Sequence, residues 1–224
     1  MKTKMLFVVL SLCLLAACAS GPKVNLKYDY EISDMSTSSR PKWIDSEYIL
    51  KLNEKSDGYK YYVGENDNAS SKASKTLCRS SAEAKARYDF AAAIKSSIIS
   101  AYKEVENSLG PEEKAVVKSS ADIERVLNVD ESVGGAEKYN DYWEQRSHQK
   151  KMGAAKDYKS FYCATIIRMK DETYVSVIQS ASDRMIEAAK TPEASPAAVA
   201  GLKKKVAEKA VAASLAAPSI EYAE

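Results

Sequence analysis

Between residues 70 and 109, Leu77, Ala84, Ala91, Ile98 and Val105 recur at seven-residue intervals, with Tyr88, Ala101, Tyr102 and Leu109 beside them. That repeat writes one apolar stripe along a single long helix. The run AEAKARYDFAAAI inside it is rich in alanine, which favours helix and lets the helix lie close against a partner surface. Gly110-Pro111 stops it. A one-sided helix of this length draws its stability from the surface that covers the stripe, so the rest of the chain must supply one.

The flanking segments offer strands. Tyr59, Tyr61 and Val63 alternate in YKYYVG, bounded by Asp57-Gly58 and Gly64. Two extended stretches follow the helix, YNDYWEQRSH (139–148) and FYCATIIRMK (161–170), separated by a Lys/Gly/Ala-rich loop that suits a hairpin. In the second, Phe161, Cys163, Thr165, Ile167 and Met169 share a face. Strand, long helix and two strands predict an α+β domain with a small antiparallel three-stranded sheet packed on the helix. Extra helices are expected at 112–127 and 172–189, although the β-branched TYVSVI at the start of the latter would also suit an added strand. Residues 191–224, rich in Ala, Lys and Pro, read as a peripheral, helical or disordered tail with one candidate helix near 199–215.

The N-terminus carries an address. Lys2 and Lys4 precede an apolar run too short to be a stable membrane span, as in a secretory signal over residues 1–17. Leu15-Ala16-Ala17-Cys18 resembles a bacterial lipobox, in which cleavage falls between Ala17 and Cys18 and the Cys18 thiol becomes a thioether to diacylglycerol. Several acyl chains hold such a protein on its membrane, because each buried methylene contributes about 0.8 kcal/mol. Ala19, in place of Asp, favours the outer membrane. Residues 18–40, polar and Ser-rich, read as a lipidated cysteine and flexible tether reaching roughly 25 Å, with the folded domain spanning 41–190 and opening on the anchor PKWI. With Lys2 and Lys4 removed, 31 basic residues face 31 acidic ones, a balance that argues against nucleic acid as a partner.

In order and pattern, the lipobox, PKWI, YYVGEN, SSAEAKARYDFAAAI and FYCATIIRM resemble the LPP-twenty lipoprotein family, whose members include envelope lipoproteins and the flagellar basal-disc protein P. The resemblance covers roughly residues 41–190. It implies a dodecin-like core, membrane attachment through the N-terminal lipid, and self-association in the bacterial envelope. The segment at 110–138 and the C-terminal tail depart from the pattern.

Catalytic constellations are not visible, and a non-enzymatic protein without cofactor or metal is expected. The single histidine, His148, sits in EQRSHQKK and reads as a solvated surface residue; no Gly-x-Ser-x-Gly elbow and no phosphate-binding glycine loop occurs. Cys78, Cys163 and His148 lack the close ligand spacing of a metal site. Tyr59, Tyr61, Tyr62, Tyr139, Tyr142 and Trp143 are expected to cluster on neighbouring strands, with Tyr59, Tyr61 and Trp143 as a possible interface with a ligand or another protomer, or as ordinary cross-strand packing under the helix. In the strand order that the resemblance implies, Cys78 and Cys163 would lie at one edge of the core, where an oxidising compartment permits a disulfide. Two buried, reduced, apolar cysteines are the competing reading.

Overall fold

The computed structural model describes residues 30–55, 57–68, 74–110, 133, 135–192 and 194–215. The lipobox with Ala17 and Cys18, and the helix expected at 112–127, lie outside the described residues. Strands β1 (Glu31–Met35), β2 (Tyr59–Asn68), β3 (Glu137–His148) and β4 (Tyr158–Lys170) form one sheet in the order β1-β3-β4-β2. Every neighbouring pair is antiparallel, so β2 and β3 run parallel to each other on either side of β4. Helices α1 (Ser46–Lys55), α2 (Lys75–Ser108), α3 (Asp171–Ala189) and α4 (Pro196–Leu215) complete an α+β fold.

The sheet has four strands, not three. The added strand, β1, comes from the segment read as tether, and it is held by its main chain: Glu31 faces Ser147, Met35 faces Glu144, and a bulge falls between Ile32 and Asp34. Its residues are mostly exposed, so no apolar alternation marks it. At the opposite edge, α1 shields β2. Asn53 Oδ1 accepts from the Tyr61 N–H (2.8 Å) and Asn53 Nδ2 donates to the Tyr61 carbonyl (3.0 Å), standing in for a further strand.

Ser74 caps α2, its Oγ accepting from the Leu77 N–H at 3.1 Å. The buried residues of α2 include Cys78, Ala82, Ala86, Phe90, Ile94 and Ile98, a ridge of four-residue steps, with Ala91, Ala101, Tyr102 and Val105 beside or beyond it. The seven-residue stripe therefore holds only in the second half. Leu77 (53% exposed), Tyr88 (69%) and Ala84 point away from the sheet. Counting large residues misplaces the face because this helix buries its small ones: a Cβ built on Gly64 of β2 would lie 2.2 Å from both the Ala82 carbonyl oxygen and the Ala86 nitrogen. The helix approaches the sheet where neither side carries bulk.

Farther along, Phe90 stacks between Tyr62 (centroids 4.2 Å) and Tyr174 of α3 (5.5 Å). Helix α3 buries Tyr174, Ile178, Ala181, Met185 and Ile186 at helical spacing, and Asp171 and Glu172 suit its N-terminus, so TYVSVI is helix and not strand. The described part of the tail, α4, is not peripheral. Val199, Leu202, Val206 and Ala210 of α4 join the main core with α2 and α3, at the three- and four-residue steps of a helix face. The domain thus extends from β1 to the end of α4.

Candidate functional site

The sheet has two faces with different chemistry. On the α2 side, Trp143 and Phe161 pack around Cys78, Ala82 and Cys163. Cys78 and Cys163 are joined in a disulfide with Cα atoms 5.7 Å apart, within the span such a bond requires. Both residues are fully buried.

The other face carries charge. Cross-strand register places Tyr142 opposite Ala164, Glu144 opposite Tyr162, Arg146 opposite Ser160 and His148 opposite Tyr158, while Glu65 and Asp67 of β2 face Ala164 and Tyr162 from the far side of β4. The N-terminal segment crosses over these residues, with Ile44, Trp43 and Met35 packing on Tyr142, Tyr162 and Ala164. Glu144 (1% exposed) accepts from the Tyr142 hydroxyl (2.7 Å) and from Arg146 Nε (2.7 Å). Arg146 Nη1 also donates to Asp67 Oδ2 (2.6 Å), and its guanidinium lies over the rings of Tyr30 (4.2 Å) and Tyr162 (4.5 Å). Tyr162 donates to Glu65 Oε2 (2.5 Å) and accepts from Arg40 Nη2 (2.8 Å). Burial and then the hydrogen bond to Glu65 push the Tyr162 phenol well above its ordinary range. Partial burial works against the charge of Arg40, but Tyr162, Glu144 and Glu65 more than offset it and hold its pKa up. The arrangement is a set of matched donors and acceptors, which locks the N-terminal segment to the sheet and leaves its buried acid, Glu144, already engaged.

His148 is not solvated. It is 9% exposed, stacks on Tyr158 (centroids 4.4 Å, planes 4° apart), and its Nε2 lies 2.9 Å from Ser160 Oγ. EQRSHQKK looks like a surface run, yet Tyr142, Glu144, Arg146 and His148 alternate toward a covered face. That period-two pattern was the available signal.

The expected aromatic cluster divides. Tyr62 and Trp143 face α2. Tyr59, Tyr61 and Tyr139 gather on the opposite face around Arg168, whose guanidinium lies 4.4 Å from both the Tyr59 and Tyr139 ring centroids and whose Nε donates to Glu137 Oε1 (2.7 Å). Tyr139, in the bulge of β3, is 52% exposed and meets Tyr61 edge-on at 5.7 Å. Burial, then the hydrogen bond to Asp57 Oδ2 (2.7 Å), pushes the Tyr61 phenol up to about 12. Tyr59 and Tyr61 thus belong to one surface and Trp143 to the other, so the three do not form a single interface.

A surface cleft of about 310 Å³ lies between the end of α3 and the start of α4, lined by Glu187, Lys190, Pro192, Val199 and Lys203; Glu187 pairs with both lysines across it. Among the described residues, no three His, Cys, Asp or Glu side chains are placed to hold a metal ion, and no helix is long and apolar enough to cross a membrane. Cys78 and Cys163 are bonded to each other, and His148 stands on the opposite face of the sheet. No protein-family model, curated protein or solved structure matches the chain.

Proposed function

We propose that this chain is a bacterial envelope lipoprotein, anchored through Cys18 and without enzymatic activity, whose domain associates with itself or with another envelope component. The observation that carries the reading is the lipobox Leu15-Ala16-Ala17-Cys18 standing twelve residues ahead of a domain closed by a disulfide. A structural disulfide suits an oxidising compartment beyond the inner membrane, which is where a lipobox delivers its protein. Ala19 favours the outer membrane within it. The succession β2-α2-β3-β4, with β2 and β3 flanking β4, supports the dodecin-like core of the LPP-twenty family, to which β1, α1, α3 and α4 are additions. Self-association is supported by Leu77 and Tyr88, large side chains that α2 turns outward.

A second reading, an envelope ligand-binding module, draws on the half-open stack of Tyr59, Arg168 and Tyr139, which has the flat faces and fixed cation that planar or glycan ligands engage.

Mass measurement of the mature N-terminal peptide tests the anchor: a diacylglyceryl adduct on Cys18, absent in Cys18→Ser, is expected. Retention of unacylated protein in the membrane fraction would count against it. Crosslinking in native membranes tests assembly, with a discrete ladder of homomers expected and an unaccompanied monomer favouring the ligand module.

A further inference from the structure

The turn joining β3 to β4 is one-sidedly charged. Residues 149–159 read QKKMGAAKDYK, with Lys150, Lys151, Lys156 and Lys159 against a single acid, Asp157. All four lysines are exposed. The turn is also well built: Lys150–Met152 form a 3-10 turn, Gly153 takes the left-handed conformation (φ 101°) that glycine favours, and Asp157 Oδ1 accepts from the Lys150 N–H at 2.7 Å. Its one large apolar side chain, Met152, is half-buried, so the turn offers charge to a surface and no wedge to a hydrocarbon interior.

Its position gives that charge a direction. β1 begins beside this turn, with Glu31 facing Ser147, Gln149 Nε2 donating to Glu31 Oε2 (2.7 Å), and Lys151 Nζ 3.7 Å from Glu31 Oε1. The Tyr30 ring lies 5.7 Å from that of His148. The chain therefore leaves the domain toward Cys18 at the end of the sheet that carries the lysines. Twelve residues separate Cys18 from Glu31, so even a fully extended backbone holds the two within about 45 Å. Lys75, at the start of α2 with its Nζ over Trp143 (4.2 Å), adds a further cation near the disulfide. Of the neighbouring acids, Asp67 is paired with Arg146, and Glu31 is shared between Gln149 and Lys151.

We propose that the β3–β4 turn is a second membrane contact, seating the domain on anionic phospholipid headgroups beside its lipid anchor. The proposal rests on the lipid-anchor reading for its geometry, and its chemistry is electrostatic: lysines within a Debye length of an anionic surface each strengthen binding about fivefold. The neutral balance of the mature chain makes this a local property of one end of the molecule and not a general stickiness.

The test uses the full mature chain with Cys18→Ser, mixed with vesicles of phosphatidylglycerol or of phosphatidylcholine alone and read by co-sedimentation. Binding to the anionic vesicles that weakens with salt, and none to the neutral ones, is expected. K150Q/K151Q/K156Q should weaken it about a hundredfold with unchanged circular dichroism, and K150R/K151R/K156R should retain it. No binding to anionic vesicles at low ionic strength, or equal binding by the glutamine variant, overturns the proposal. Because this protein carries no lipid, the result is independent of whether Cys18 is acylated, which the mass of the N-terminal peptide decides separately.

Discussion

Gly64 on β2 lies against the backbone of Ala86 on α2 so closely that a Cβ at position 64 would sit 2.2 Å from the Ala86 nitrogen and 2.8 Å from its Cα. Backbone cannot move aside as a flexible side chain can. Gly64→Ala should therefore cost about 3 kcal/mol or more, the upper end of overpacking, measured by urea denaturation. Gly58→Ala is the comparison: its space is open and only its positive φ of 84° resists, so a loss of about 1 kcal/mol is expected.

The Cys78–Cys163 disulfide closes a loop with a separation of 85 residues. On the chain-entropy model it stabilises the fold by about 4 to 5 kcal/mol. The double variant C78A/C163A should lose that amount in denaturant unfolding, and the oxidised parent should lose it when unfolded in the presence of reductant. Equal midpoints with and without reductant would contradict the bond.

Glu144 and Arg146 form a buried ion pair on the covered face. Glu144→Ala leaves the guanidinium with only the exposed Asp67 as carboxylate partner, and should cost about 3 to 5 kcal/mol. Replacing both, as in E144L/R146M, should cost less than the single change, because no uncompensated charge remains. A double-mutant cycle in urea measures the difference.

Buried tyrosines set the alkaline limit. Burial, followed by hydrogen bonding to carboxylates, raises Tyr61 from 10.0 to about 12 and pushes Tyr142 and Tyr162 up further; Tyr62 is raised by burial and its Tyr174 neighbour. A folded-state pKa above the unfolded one contributes stability that is complete below about pH 10 and is lost as pH rises through the folded value. Unfolding free energy should thus hold to about pH 10 and fall above it, with tyrosinate absorbance of the native protein lagging that of the unfolded chain. Coincident titration of the two would refute the shift.

Helix α4 is expected to be indispensable. A chain ending at Ala194 exposes the surfaces of α2 and α3 that Val199, Leu202, Val206 and Ala210 cover. It should bind hydrophobic dyes and lose its cooperative thermal transition, whereas a chain ending after Leu215 should keep it.

The elements with a strong period were legible: β4, α2 and α3 each bury a face that the sequence spells in twos or in threes and fours. Where the face was made of small residues, counting went astray, as with Leu77 and Tyr88, which look like core and stand outside. β1 gives no signal because its bonds are main-chain ones, and α4 is hard to see because Ala and Lys around Pro192 and Pro196 resemble a linker. The polar side of the sheet was hardest. Glu144, Arg146 and His148 are residues that normally seek water, and only the N-terminal segment, distant in sequence, makes them interior. Only the strand order that the resemblance implies brings Cys78 and Cys163 to one edge, since linear sequence alone does not bring together residues 85 apart.

The strand order β1-β3-β4-β2 interleaves the chain in a way that matters for proteolysis. Everything before the α2–β3 connection supplies the two outer strands, and everything after it supplies the inner pair. A single cut in that connection therefore yields two fragments, one holding the paired inner strands and the other the two outer strands whose neighbours belong to the first, with the disulfide still riveting them together. Such a nicked molecule would migrate as one species until reduced, and its halves could be made separately as the two parts of a split protein.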